Sequence, residues 1–326
     1  MFWLGLTLLL LCLFFSATFG IYMSCFYTPN RTQNDDRQLA KSTLRNARRA
    51  QILESIDAAL EIPYETVEIL SRDDFVLRGR YMEFRPGAPL CLCFHGYRGT
   101  PNRDFSSFIP IMRRLGFNLL LVEQRGHCRS ESNTTTLGVK ERFDCLDWTE
   151  YVRFRFGPDL PVLLAGVSMG ATTVLMASDF ALPDNVRGII ADCPFSSPKD
   201  IVFQAAQSMH LMPRISTLLT EAAARIYGGF SLFGPSAVES VKHTRLQILL
   251  FHGESDYYVP CYMSEEIHDA NRAQIELHLF ARAGHGMSIL FEPERYEACV
   301  RRYINRVLGD DTPKAARLSE EELAAR

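Results

Sequence analysis

Three residues of this 326-residue chain have the types and the order that acyl transfer requires. Ser168 lies in Gly166-Val167-Ser168-Met169-Gly170, between an apolar run at 161–166 and a helical stretch at 171–178. A G-x-S-x-G sequence between strand and helix is a nucleophile elbow, a tight strained turn that presents Oγ above a sheet. The flanking glycines let neighbouring backbone approach without a Cβ clash. The helix behind the serine points its positive dipole end at a developing oxyanion. A serine hydroxyl is a poor nucleophile and needs a base. His285, in Gly284-His285-Gly286 just after the run 275–280, is the candidate base. Asp256, in His252-Gly253-Glu254-Ser255-Asp256 after the run 246–251, is the candidate acid that orients it. The order Ser, Asp, His matches one hydrolase class and no other common triad arrangement.

Each role has rivals. Glu254 and Asp192 are the other acids that follow a predicted strand, and Cys193-Pro194 restricts the loop of the second. His252, His95 and His127 sit in turns where a structural hydrogen bond is the better use, and His210 and His268 read as surface or cap residues. An oxyanion hole needs two backbone N–H donors. Met169, next to the serine, should supply one. Tyr97, in His95-Gly96-Tyr97-Arg98-Gly99 after the run 90–94, should supply the other, with its side chain hanging over the site. Such chemistry runs through an acyl-enzyme and calls for no metal or organic cofactor.

These residues need a scaffold. Apolar runs at 66–70, 75–84, 90–94, 118–122, 161–166, 187–191, 246–251 and 275–280 read as strands, and from 90 onward they alternate with helical stretches. That pattern predicts a mostly parallel sheet buried on both faces, with ligand sites at the carboxyl ends of its strands. The alternation pauses at about 198–245, a segment too long for a bare loop and rich in Met, Leu and Phe. It is expected to form a helical cap over the site.

Residues 2–27 carry no charge and are long enough for a transmembrane helix, with Trp3, Tyr22 and Tyr27 near the ends. A cleaved signal ending near Thr18-Phe19-Gly20 is the alternative. Arg31, Arg37, Lys41 and Arg45 follow the span, so the positive-inside rule places the domain in the cytoplasm, an extracytoplasmic or secreted domain being the alternative. Residues 28–63 read as a linker with a helix over 36–60, either lying on a membrane or packed on the domain. The hydrolase domain should run over 64–308, followed by a polar tail at 309–326. Net charge is −3, which gives no footprint for nucleic acid. The nine cysteines are irregularly spaced, with no C-x-x-C pair; most should be small buried hydrophobes, mildly favouring a reducing compartment.

Several of these segments together resemble a known family. They are His95-Gly96-Tyr97, Glu123-Gln124-Arg125-Gly126-His127-Cys128-Arg129-Ser130, the serine elbow, Ala191-Asp192-Cys193-Pro194-Phe195 and Gly284-His285-Gly286. They look like the membrane-anchored α/β-hydrolase-domain enzymes of the bud-emergence-protein type, close to the serine-aminopeptidase-like grouping. The resemblance covers roughly 67–308. It implies an α/β-hydrolase fold: a mostly parallel eight-stranded sheet with helices on both faces and a helical cap, and the triad Ser168, Asp256, His285. Two departures stand out, since Glu123 and Cys128 occupy positions where such enzymes often carry Asp and Gly. The expected activity is hydrolysis of ester, thioester or acyl-lipid bonds in a small acyl substrate. A peptidase of the aminopeptidase kind and a catalytically silent binding protein are the alternatives.

Overall fold

The computed structural model describes residues 1–28 and 48–317. Eight strands form one sheet: β1 (Glu65–Leu70), β2 (Val76–Met82), β3 (Leu90–Phe94), β4 (Asn118–Glu123), β5 (Val162–Val167), β6 (Val186–Asp192), β7 (Gln247–Gly253) and β8 (Ile275–Phe280). Their order across the sheet is β1-β2-β4-β3-β5-β6-β7-β8. β2 is antiparallel to both β1 and β4, and every other pairing is parallel. All eight expected runs are strands, and in the parallel part of the sheet a run of apolar residues has two faces to bury. In β3 the side chains of Leu90, Leu92 and Phe94 join one core, and those of Cys91 and Cys93 join the other. β4 divides in the same way, Leu120 and Val122 against Leu119 and Leu121.

Helices cover both faces. On one lie α2 (Arg49–Leu60), α3 (Pro101–Phe105), α4 (Phe108–Arg114), α11 (Ser288–Phe291) and α12 (Pro293–Leu308). The other carries α5 (Glu141–Phe156), α6 (Met169–Ala177), α9 (Ala237–Val241) and α10 (Tyr262–Ala270). Between β6 and β7 stand α7 (Pro198–Ser208), α8 (Pro213–Ala223) and a π-helical turn at Ala224–Gly228, in the segment expected to form a cap. Local chemistry sets their starts. Ser197 Oγ accepts from the Asp200 N–H at 3.1 Å, and prolines open both α7 and α8.

Three expectations need adjustment. The helix expected over 36–60 appears as α2, whose Ile52, Ile56 and Ala59 are buried in the core, so this part is packed on the domain; residues 29–47, including the flanking basic residues, lie outside the described residues. The tail does not leave the domain at once. Ala316 is buried, and its carbonyl accepts from Asn305 Nδ2 at 2.7 Å, because a small apolar side chain there completes the core beneath α12. The third concerns α1 (Phe2–Cys25), a helix long and apolar enough to cross a membrane, whose packing on the domain the sequence did not foresee. Its far end packs on the cap: Thr18 is fully buried, and Phe19 and Tyr22 lie against Tyr227 at centroid distances of 5.4 and 5.7 Å.

Candidate active site

The loops that follow β3, β5, β6, β7 and β8 lie along one edge of the sheet, and all the candidate residues are on them. The chain leaves β3 for β4 on one side and returns to β5 on the other, so a crevice opens between β3 and β5. Ser168 stands at its lip. Its φ of 54° and ψ of −118° fall outside the regions that side chains favour, as an elbow requires. The glycines around it are needed for space. A Cβ on Gly170 would collide with the Phe94 carbonyl of β3, and one on Gly166 with the backbone of Gly170.

Ser168, His285 and Asp256 form one hydrogen-bonded chain. Ser168 Oγ lies 2.9 Å from His285 Nε2, and His285 Nδ1 lies 2.6 Å from Asp256 Oδ2. The second contact assigns the ring proton to Nδ1 and leaves Nε2 as the acceptor facing the serine. Asp256 is buried, and its Oδ1 accepts the N–H groups of Tyr258 and Val259, both at 2.9 Å. Burial alone would raise its pKa. Hydrogen bonds from His252 and His285 outweigh that and hold the carboxyl well below the usual range. Of the rival acids, Glu254 is exposed, and Asp192 is turned toward Ser288 Oγ at 3.4 Å.

A model of the alpha/beta hydrolase fold matches residues 89–226. The fold is that of the α/β-hydrolases. Uncharacterized protein YqkD of Bacillus subtilis is 23% identical over 199 residues, a match covering 61% of this chain and 65% of that protein's length. Among solved structures, the Pyrococcus furiosus esterase Pf2001 superposes with a TM-score of 0.63 at 19% identity, covering 77% of this chain and 94% of that one. An acylaminoacyl peptidase of Pyrococcus horikoshii superposes with a TM-score of 0.52 at 19% identity, over 75% of this chain and 41% of its own. Esterase and peptidase thus share this architecture, and chemistry must be argued from the site.

The loop after β3 is fixed by hydrogen bonds to Asp104 and His127 and by one within the loop itself. The Gly96 N–H donates to Asp104 Oδ2 at 2.7 Å, the Arg98 N–H to His127 Nε2 at 3.0 Å, and the Gly99 N–H to the Gly96 carbonyl at 2.9 Å. His127 Nδ1 faces the Arg125 carbonyl at 2.9 Å, which leaves Nε2 free of a proton to accept. His95 is buried; its Nδ1 faces the Gly96 carbonyl at 2.9 Å, its Nε2 accepts the Gln124 N–H at 3.1 Å, and burial lowers its pKa, so it stays neutral. His95 and His127 therefore serve structural hydrogen bonds. A Cβ on Gly96 would lie 3.3 Å from Ser168 Cβ, which puts the start of this loop against Ser168. Met169, on the serine's other side, opens α6, so its N–H has no partner within the helix.

The Tyr97 side chain departs from expectation. Its hydroxyl donates to the Cys25 carbonyl at 2.6 Å, and Arg98 Nη2 donates to the Ser24 carbonyl, also at 2.6 Å. The last turn of a helix leaves carbonyls unbonded and carries negative dipole charge. Two neighbours on this loop thus cap the carboxyl end of α1. The rest of α1's end is stitched to the loop before α5 by Thr28 N–H to the Asn133 carbonyl and Thr135 N–H to the Phe26 carbonyl, both at 2.9 Å. Around this junction runs a third apolar cluster that includes Phe26, Met169, Phe195, Phe230 and Val259, and Tyr97 packs against it. Cys193, Asp256 and His285 offer ligand atoms within 4.8 Å of one another. Asp256 and His285 already bond each other, and burial pushes the Cys193 thiol up, away from the thiolate that metal binding needs.

Proposed function

We propose that this chain is a serine hydrolase that cleaves ester, thioester or acyl-lipid bonds through an acyl-enzyme on Ser168, held at a membrane by α1. The unbroken chain Ser168–His285–Asp256 carries the reading. His285 Nε2 takes the Ser168 proton as Oγ attacks the carbonyl carbon, and the N–H groups of Tyr97 and Met169 receive the oxyanion. The collapsing intermediate expels the alcohol or thiol, which His285 protonates. Water, deprotonated by the same nitrogen, then releases the acid. Asp256 stays ionised throughout and stabilises the imidazolium, in keeping with its depressed pKa.

The apolar cluster beside the serine supports an acyl group over a charged amino terminus. The nearby carboxylate of Asp104 is bonded to Gly96 N–H and Arg103, and Asp192 to Ser288, so neither is offered to a substrate ammonium. The packing of Thr18 and Phe26 supports an uncleaved anchor, as does the resemblance to membrane-anchored enzymes of the bud-emergence-protein type. The positive-inside argument supports a cytoplasmic domain. Protease should therefore reach it only in permeabilised cells; digestion in sealed cells reverses the orientation.

A fluorophosphonate probe should label the full chain and not Ser168→Ala, with kcat on p-nitrophenyl esters falling about 10⁶-fold in the variant. Absence of labelling in folded protein would favour a silent binding protein. Faster turnover of aminoacyl-nitroanilides than of esters would favour the peptidase.

A further inference from the structure

We propose that the flank of the cap formed by α8, the loop before it and the π-helical turn is itself embedded in the bilayer, and that acyl-chain substrates reach Ser168 from the leaflet. The inference rests on reading α1 as a membrane span.

The first argument is length. α1 has 24 residues, about 36 Å of helix, against a hydrocarbon core of about 30 Å. Contacts with the cap begin well before its end. Tyr227 Oη donates to the Phe15 carbonyl at 3.0 Å, and Thr18, Phe19 and Tyr22 follow on the same side. Only Phe2 to Phe14 precede these contacts, about 20 Å of helix. With the cap wholly in water, the free part of α1 is too short by about 10 Å. Lowering the cap flank by about that depth closes the gap, and it is the depth at which amphipathic elements settle at the acyl boundary.

The second argument is composition. α8 and the π-helical turn, which touch α1, and the loop before α8 bear large apolar side chains with high exposure: Met209 (69%), Met212 (68%), Ile215 (49%), Leu218 (62%) and Ile226 (45%). Ile215 and Leu218 are three apart on α8 and share one face. An apolar surface continuous with a membrane span fits lipid chains.

The third argument places the site. Because Tyr97 and Arg98 hold the last carbonyls of α1, the loop beside Ser168 lies level with the helix end, at the membrane interface. The buried cluster of Phe26, Met169, Phe195 and Phe230 joins the end of α1 to the residue beside Ser168, so an acyl chain that parts these side chains meets apolar groups from lipid to serine.

The test uses the full chain in phosphatidylcholine vesicles with brominated acyl chains. Leu218→Trp and Met212→Trp are made in a Trp3→Phe background, where Trp148 is the remaining native tryptophan and is buried. Phe154→Trp, at a position 92% exposed on α5, is the control. The cap tryptophans should lose most of their emission to bromine and the control almost none. Flotation of the chain with vesicles and quenching of native Trp3 report the anchor separately. A chain that floats while Leu218→Trp emits as though in water overturns the embedded cap and leaves the hydrolase and the anchor standing. Blue-shifted but unquenched emission means another protein surface covers the flank, which also overturns it. A chain that does not float removes the anchor and this inference together. For the route, Leu218→Asp should slow hydrolysis of a vesicle-borne acyl lipid severalfold and leave a short soluble ester unchanged. Equal rates on both substrates would overturn entry from the leaflet.

Discussion

Asp104 never approaches the nucleophile's proton, yet it decides where a donor points. Its carboxylate takes the Gly96 N–H at 2.7 Å and is itself steadied by Arg103 Nε at 2.7 Å. Asp104→Ala should free the start of the oxyanion loop and misdirect the Tyr97 N–H. We expect kcat on a soluble ester to fall about 10- to 100-fold with KM nearly unchanged, somewhat less than loss of a whole donor. A thermal melt checks that the fold survives, and a rise in KM with kcat intact would argue against a positioning role. Asp192 gives a pH signature. Burial raises its pKa from 3.8 to about 6. The native state therefore holds a proton that the unfolded chain has released between about pH 4 and 6, so stability falls as pH rises through that window. Asp192→Asn should gain on the parent across the same interval, by up to about 3 kcal/mol above it, and gain nothing further below it; melts from pH 4 to 8 read the difference. Ser168, Asp256 and His285 were legible in sequence because each sits in a short local pattern at a strand end. His127 was legible as a structural histidine but not its partner, and Asp104 was not legible at all, because their bonds run to backbone N–H groups on another loop and no spacing rule announces such a partner.

Every strand begins and ends within two residues of the run that predicted it. The runs at 90–94 and 275–280 have the bounds of β3 and β8, while the run at 75–84 shortens to Val76–Met82. The end of β4 shows how the fold accommodates Glu123 and Cys128, the two departures from the pattern the sequence resembles. Glu123 is fully buried, and it accepts from Arg80 Nε at 2.8 Å and from Arg129 N–H at 2.9 Å. Cys128 has φ 49°, a left-handed turn that glycine would adopt freely. Arg80 is 2% exposed, so removing its carboxylate strands a charge. Glu123→Ala should cost about 3–5 kcal/mol, read from denaturant midpoints. A loss under about 1 kcal/mol would mean that water reaches Arg80. The docked start of the tail was not foreseen, because Ala316 and Pro313 carry no pattern that distinguishes a covering segment from a solvated one.

At the scale of the whole molecule, anchor, cap and site share one apolar cluster, so they should respond together. Removing residues 1–25 exposes Phe26, takes away the Cys25 carbonyl that Tyr97 bonds, and leaves Arg98 only the longer bond to the Tyr27 carbonyl. The shortened chain should hydrolyse even a soluble ester more slowly than the full chain in detergent and melt at a lower temperature. Unchanged values for both would show that α1 only tethers. The sequence made the span legible by its length and lack of charge, but its docking depends on aromatic side chains more than 200 positions away, beyond any local reading. The bond from Tyr97 to the last turn of α1 makes the helix a lever as well as a tether. A helix tilts to match the thickness of the lipid around it, and with α1 in a membrane as proposed, any tilt would be delivered to the turn proposed to hold the oxyanion. Turnover in short-chain and long-chain phosphatidylcholine should therefore differ, and Tyr97→Phe, which cuts the link, should flatten the difference. Lipid composition would then act on this protein as a physical regulator, with no ligand and no second binding site.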